Sequence, residues 1–233
     1  MNYIKELLFP RHCPVCDNVV RFGEEKICPD CKKKPLAIVE PWCLKCGKPL
    51  KMQEQEYCFD CARGNHRFCR GRAVFTYDSM ASSLYRFKYQ GRQEYGEYYG
   101  ETAAEILRKE KDFRQAQALV PVPLHRKREN MRGYNQAAVF ARALGNVWGI
   151  PVREDLVKRI KNTKPLKQFN PSQRQNNLKM AFKLMQNDVK LNTIIIVDDI
   201  YTTGSTIDAV ADVFLEAGVH RIYFVTLAVG NGF

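Results

Sequence analysis

The sequence predicts an α/β fold, with a mostly parallel sheet flanked by helices over residues 71–233, behind a small metal-held ribbon domain over residues 1–70. Three observations predict it. Most of the nine cysteines form Cys-x-x-Cys pairs close to the N-terminus. Residues 118–144 and 194–217 each read as an apolar strand, a polar loop and an amphipathic helix, in that order. A further apolar strand follows the second stretch, which completes a βαβ unit, the building block of parallel sheets.

The cysteine pairs are Cys13/Cys16, Cys28/Cys31, Cys43/Cys46 and Cys58/Cys61, and successive pairs start 15 residues apart. A Cys-x-x-Cys turn sets two thiolates on one side of a tetrahedral metal, so four turns complete two sites. Closed all-thiolate sites suit two structural Zn²⁺ ions, because catalytic zinc keeps a position open. A segment this short holds no core by burial alone, and metal binding supplies its folding free energy. Pairing first with second and third with fourth closes each ribbon locally; spacing leaves a crossed pairing open. A disulfide framework suits a cytosolic chain poorly, and an iron–sulfur cluster is a further alternative. Cys69 reads as a buried small hydrophobe or an idle thiol. His12 and His66 read as surface residues rather than replacement ligands.

Next, residues 72–77 read as a strand and 79–89 as a helix with Met80, Leu84 and Phe87 on one face. Lys88 and Arg92 surround Gly91 at its end. Cations are favourable at a helix C-terminus for their own sake; Lys88 reaching a phosphate is the functional alternative. Residues 94–109 form a second amphipathic pattern, and 118–122 a short strand ending in Pro-Val-Pro. A basic loop over 124–136 then leads into a helix marked by Ala137, Phe140, Ala143 and Leu144. It aims cations and a helix N-terminus at one place, and Gly133 allows close backbone approach. Pyrophosphate fits those features, with Arg126, Arg132, Gly133, Asn135 and Gln136 as candidate contacts. A solvated charge run is the plainer reading of such a cluster; its position behind a buried strand argues against it. Residues 156–160 read as a strand. Residues 161–177 are cationic, carry two prolines and have the length of a lid. Arg159, Lys161, Thr163, Lys164 and Arg174 are candidate lid cations and contacts. Residues 178–184 resume an extended pattern.

The last unit carries the most chemistry. Ile194, Ile195, Ile196 and Val197 do not alternate with polar residues, so they read as a strand buried on both faces. Asp198 and Asp199 then emerge at its carboxyl end, where open α/β sheets bind ligands. Paired carboxylates there accept hydrogen bonds from sugar hydroxyls or hold a hydrated Mg²⁺. Thr202, Thr203, Gly204, Ser205 and Thr206 would wrap a phosphate with amides and hydroxyls at the positive end of the next helix. Ile207, Val210, Ala211 and Phe214 give that helix its apolar face, Gly218 ends it, and residues 222–229 form the closing strand. An ordinary buried strand with a polar N-capped loop is the plainer alternative.

The chain has 233 residues, 45% of them hydrophobic, enough for one ordinary domain and a small one. No apolar run approaches the ~18 residues that suggest a membrane span. The first eleven residues have too short an apolar stretch for a signal peptide, so a cytoplasmic location is expected. Residues 124–183 carry a net +11 of the total +12. Such concentration points to an anionic partner: pyrophosphate, a nucleotide or a nucleic-acid backbone.

Residues 197–206 resemble the 5-phosphoribosyl-1-pyrophosphate (PRPP) signature of type I phosphoribosyltransferases. With the four cysteine pairs, Phe87-Lys88-Tyr89-Gln90-Gly91, Pro121-Val122-Pro123-Leu124, Arg132-Gly133-Tyr134-Asn135-Gln136, and Arg174 with Asn177 and Phe182, nearly the whole chain resembles the ComF family of late-competence and GntX-type proteins. The resemblance implies a double zinc ribbon followed by a type I phosphoribosyltransferase-like domain, and a role in natural transformation, where imported single-stranded DNA reaches the cytoplasm. It implies that Asp198 and Asp199 face the ribose hydroxyls and Thr202 to Thr206 the 5-phosphate. One departure stands out: the family has a Gln three residues after the lid Thr, whereas Thr163 is followed by Leu166, with Gln168 later.

Two functions are open to such a chain. In one, PRPP and Mg²⁺ bind and the protein engages single-stranded DNA, with other DNA-uptake proteins as further partners. Tyr85, Tyr89, Tyr95, Tyr98, Tyr99 and Phe169 are candidates for stacking bases, with core packing as the alternative. In the other, Asp198, Asp199 and Lys88 serve phosphoribosyl transfer to an unidentified base or nucleotide.

Overall fold

The computed structural model describes residues 10–21, 25–34, 36–161, 180–185 and 190–230. The main sheet has four parallel strands: β1 (Arg70–Thr76), β2 (Ala118–Pro121), β5 (Thr193–Tyr201) and β6 (Arg221–Val229), in the order β1-β6-β5-β2. Val157–Arg159 (β3) and Phe182–Leu184 (β4) form a separate antiparallel pair. Ile194 to Val197 are fully buried, as a central strand covered on both faces requires. Each such side chain contributes roughly 1.5–3 kcal/mol through burial.

Short helices α1 (Pro29–Lys32) and α2 (Phe59–Arg63) lie in the ribbons. Five more serve the sheet: α3 (Tyr77–Tyr89), α4 (Tyr95–Leu107), α5 (Arg126–Arg132), α6 (Gln136–Trp148) and α7 (Ser205–Glu216). Thr76 caps α3 by accepting from Ser79 N, and Asn135 caps α6 by accepting from Ala137 N. Helices α3, α4 and α6 cover one face through Phe87, Tyr95, Tyr99 and Phe140. The other face is covered by α7 and by the second cysteine ribbon, where Cys43, Cys46, Cys58 and Phe68 share a core with Tyr201, Phe214 and Phe224.

The chain between the two cysteine groups runs antiparallel along the outer edge of β1. Ile38 N donates to Val74 O at 2.9 Å and Ala37 bridges Phe75. This seals an edge that would otherwise offer unpaired amides. The first ribbon reaches the α3–α4 side, where Val15, Leu36 and Tyr98 pack. The two ribbons therefore straddle the sheet edge.

Two sequence expectations about the fold need correction. The basic stretch 124–136 is not all loop: it contains α5, with His125 Nδ1 accepting from Lys127 N and Gly133 ending it at φ 80°. Asp198 and Asp199 do not lie beyond β5, because β5 continues to Tyr201 and pairs with β6 as far as Val229. On the other side β2 stops at Pro121, opposite Val197, and the site opens there. Of the two roles open to the tyrosines, core packing holds for three: Tyr95 and Tyr99 are fully buried and Tyr98 packs between ribbon and core. Phe169 lies outside the described residues.

Candidate functional site

The step between the long strand β5 and the short strand β2 exposes the acid pair on one side. The last bond across the step runs from Val122 N to Val197 O at 2.8 Å. Asp199 N donates to Asp198 Oδ1 at 2.8 Å, which turns the first carboxylate back onto the strand. Lys88, near the end of α3, meets Asp199 Oδ2 at 2.8 Å, with side chains 14% and 20% exposed. Burial, then the neighbouring Asp199 charge, pushes the Asp198 carboxyl up to about 7, with Lys88 and Arg159 pulling the other way. Two acids this close repel, so a bound cation or donor hydroxyls would relieve the pair.

Past Tyr201 the chain turns through Thr202 and Thr203, both exposed, into Gly204. Gly204 is the N-cap of α7 at φ 80°, and no side chain caps the helix. A Cβ there would stand 2.8 Å from Tyr201 Oη and 2.9 Å from His66 Cε1, so only glycine fits. The first turn of α7 thus has no side-chain acceptor at its N-cap, an arrangement that suits an anion. Thr203 Oγ1 and Ser205 Oγ are 2.9 Å apart, and Ser205 and Thr206 are half-buried beside them.

The first turn of α7 also carries Asp208, an acid that would oppose a phosphate. Its charge is turned away: Asp208 Oδ2 accepts from His66 Nδ1 at 2.9 Å and Oδ1 from Arg67 N at 2.8 Å. Arg67 Nε reaches Asp212 Oδ1 at 2.5 Å. The chain leaving the second ribbon therefore clamps the helix that the Thr202–Thr206 loop opens. His66 is not a surface residue, since its side chain is 8% exposed. Its ring stacks on Phe68 at 4.8 Å. Sequence reading missed this role because its partner lies 142 residues away.

A cleft of about 480 Å³ lies at the end of β2, and neither the acid pair nor the Thr202–Thr206 loop is part of its lining. Arg126, Lys158 and Arg159 line it together with Asn135, and the carboxylates of Glu129 and Glu154 share it. Arg159 stands close enough to Asp198 and Arg128 to feel both charges, and burial lowers its pKa.

The eight paired thiols gather into two groups, Cys13/Cys16/Cys28/Cys31 and Cys43/Cys46/Cys58/Cys61. Within each group the sulfurs lie within 4.8 Å of one another, and Cys16–Cys28 and Cys46–Cys58 stand at 3.7 Å. Thiolates about 2.3 Å from a tetrahedral zinc are about 3.8 Å apart, so both groups fit a structural Zn²⁺. Pairing is sequential. Cys69 is exposed and stands outside both groups.

Residues 4–62 match the double zinc ribbon domain, and residues 131–232 match the phosphoribosyl transferase domain. Competence protein F of Haemophilus influenzae is 27% identical over 230 residues, covering 94% of this chain and 97% of that protein. Competence protein ComFC of Bacillus subtilis is 31% identical over 205 residues, covering 84% of this chain and 80% of that one. The chain belongs to the ComF family. DNA utilization protein YhgH of Escherichia coli is 27% identical over 220 residues, 93% of this chain and 96% of that protein.

This ComF chain brings Asp198, Asp199, Lys88 and the loop Thr202–Thr206 to one end of the sheet. The other expected contacts divide. Arg126 and Arg159 line the cleft, and Lys161 is exposed just after β3. Asn135 is spent on structure: Oδ1 caps α6, and Nδ2 donates to Val122 O at 3.0 Å, which fixes the end of β2. Gln136 is buried, accepts from Arg132 Nη1 at 2.7 Å and donates to Tyr134 O. Gly133 is exposed at the end of α5. Tyr134, part of the Arg132–Gln136 block but given no role by sequence, donates to Phe87 O and so ties the α5–α6 junction to the Lys88 end of α3. Thr163, Lys164 and Arg174 lie outside the described residues. No helix among the described residues is long and apolar enough to cross a membrane.

Proposed function

We propose that this ComF-family chain is a cytoplasmic competence protein that binds PRPP with Mg²⁺ and engages single-stranded DNA. It would divide into a double zinc ribbon over 1–70 and a phosphoribosyltransferase-like domain over 71–233. The observation that carries the sugar-phosphate reading is the uncapped N-terminus of α7 at Gly204, set one short turn beyond the acid pair. Asp198 and Asp199 receive the ribose hydroxyls, and Thr202 to Thr206 the 5-phosphate. The acid pair would hold Mg²⁺, and Lys88, beside Asp199, would meet a pyrophosphate oxygen; Arg126 and Arg132 would add positive charge and Gly133 room for close backbone approach. Arg159 and Lys161 flank the pyrophosphate from the β3 side. Bound Mg²⁺ would supply charge neutralisation; orientation of the sugar falls to the carboxylates and the α7 amides.

The net +11 over residues 124–183 supports DNA engagement, and the names of the competence and DNA-utilization relatives agree with it. DNA binding through those cations releases counterions, so affinity for a single-stranded oligonucleotide falls steeply with salt. A salt-independent affinity would remove this half of the proposal.

A second reading is phosphoribosyl transfer to an unidentified acceptor. The gathering of Asp198, Asp199 and Lys88 at one end of the sheet favours it. Release of pyrophosphate from PRPP with a base or nucleotide, lost in Asp199→Asn, would establish transfer. Tight PRPP binding without release across acceptors would leave a sensor.

A further inference from the structure

Burial sorts the aromatic residues near the basic segment. Of the clustered tyrosines on α3 and α4, Tyr95 and Tyr99 are inside the core, whereas Tyr85 and Tyr89 are 57% and 54% exposed. These two sit one helical turn apart on α3, with ring centroids 5.2 Å apart and planes tilted by 49°. Nothing in the fold requires large rings there, since the buried face of α3 is made by Met80, Leu84 and Phe87.

The pair is also tied to the cationic helix α5. The Arg132 guanidinium lies 5.1 Å from the Tyr89 ring centre, and its Nη2 donates to Tyr89 Oη at 3.3 Å. Gln136 Oε1 accepts from Nη1 of the same guanidinium at 2.7 Å, so Arg132 is held at both terminal nitrogens. Lys88, next to Tyr89 in sequence, points to Asp199. One helix end therefore presents an aromatic pair to solvent and a lysine to the acid pair.

We infer that Tyr85 and Tyr89, steadied by Arg132, form a stacking platform for bases of single-stranded DNA at the rim of the phosphoribosyl site. This rests on the DNA-engagement reading above and names the surface that carries it. Aromatic faces accept any base, and neighbouring cations on α5 hold the backbone; rings interleaved with cations are the chemistry of sequence-tolerant single-strand binding. The occupant is a polyanion because α5 carries Arg126, Lys127, Arg128 and Arg132 against one acid, Glu129.

Fluorescence anisotropy with a labelled oligo(dT) strand tests it, using wild type, the double variant Y85A/Y89A and the conservative variant Y85F/Y89F. Y85A/Y89A should bind about 10- to 100-fold more weakly at fixed salt, at the usual worth of a stacked base. Its slope of affinity against salt should match wild type, because phosphate contacts remain. Y85F/Y89F should bind like wild type. A deoxyribose-phosphate strand without bases should bind both proteins equally. PRPP titration and melting temperature serve as fold controls, since both rings are exposed. Wild-type affinity in Y85A/Y89A, or a loss matched by a changed salt slope, overturns the platform and leaves the DNA reading standing. Absence of oligonucleotide binding by wild type overturns both.

Discussion

Asp198→Asn should stabilise the fold while removing ligand binding. The Asp198 carboxyl is pushed from 3.8 up to about 7 by burial and by Asp199. Its folded pKa is thus raised, so the neutral form is the one that suits the native state. The stability it contributes is fully present below 3.8 and is lost as pH rises through 7. At ~1.4 kcal/mol per pKa unit, the gap amounts to about 4 kcal/mol at pH 8. Partial access of water to the carboxylate brings this to about 2–4 kcal/mol. Asparagine has no proton to lose, so the variant escapes that penalty. Urea unfolding at pH 8 and pH 5.5, followed by tryptophan fluorescence from Trp42 and Trp148, measures the difference. The variant should be more stable at pH 8, and its advantage should shrink by roughly half at pH 5.5. PRPP binding should be lost at both. A variant no more stable than wild type at pH 8 would refute the premise that the site stores unfavourable charge.

Further outcomes follow from the same geometry. Gly204→Ala forces a Cβ into Tyr201 and His66 at φ 80°, which should cost about 1–3 kcal/mol in unfolding and weaken PRPP binding in calorimetry. Metal analysis should find about two zinc ions per chain, and about one in Cys46→Ser. His66→Ala should keep both zincs yet lower PRPP affinity several-fold, because Asp208 loses its partner and its charge turns toward the phosphate loop; unchanged affinity would show that the clamp has no bearing on the loop.

The βαβ unit around Asp198 was legible because local rules govern each piece. A non-alternating apolar run makes a doubly covered strand, Gly204 permits the turn, and the spacing of Ile207, Val210 and Phe214 makes the helix. The two cysteine groups were legible for the same reason. Helix α5 was missed because its seven residues carry no apolar stripe; only a capping histidine and a terminal glycine mark it. The extension of β5 past Val197 was invisible because it depends on β6, a partner whose pairing sequence spacing does not report. Placement of the second ribbon against the sheet, and the His66–Asp208 bond it creates, join distant segments through tertiary packing. The sorting of tyrosines into core and surface likewise required α3, α4 and α6 to be docked. Asn135 and Gln136 show a further limit: polar residues in a ligand-like motif are here spent on holding the backbone that presents it.

Isothermal titration of PRPP into the zinc-loaded protein, with and without Mg²⁺, addresses the acid pair and the phosphate loop together. Saturable one-to-one binding that needs Mg²⁺ and disappears in Asp199→Asn is the predicted result. No heat of binding in wild type, or binding of equal strength in Asp199→Asn, would contradict the assignment.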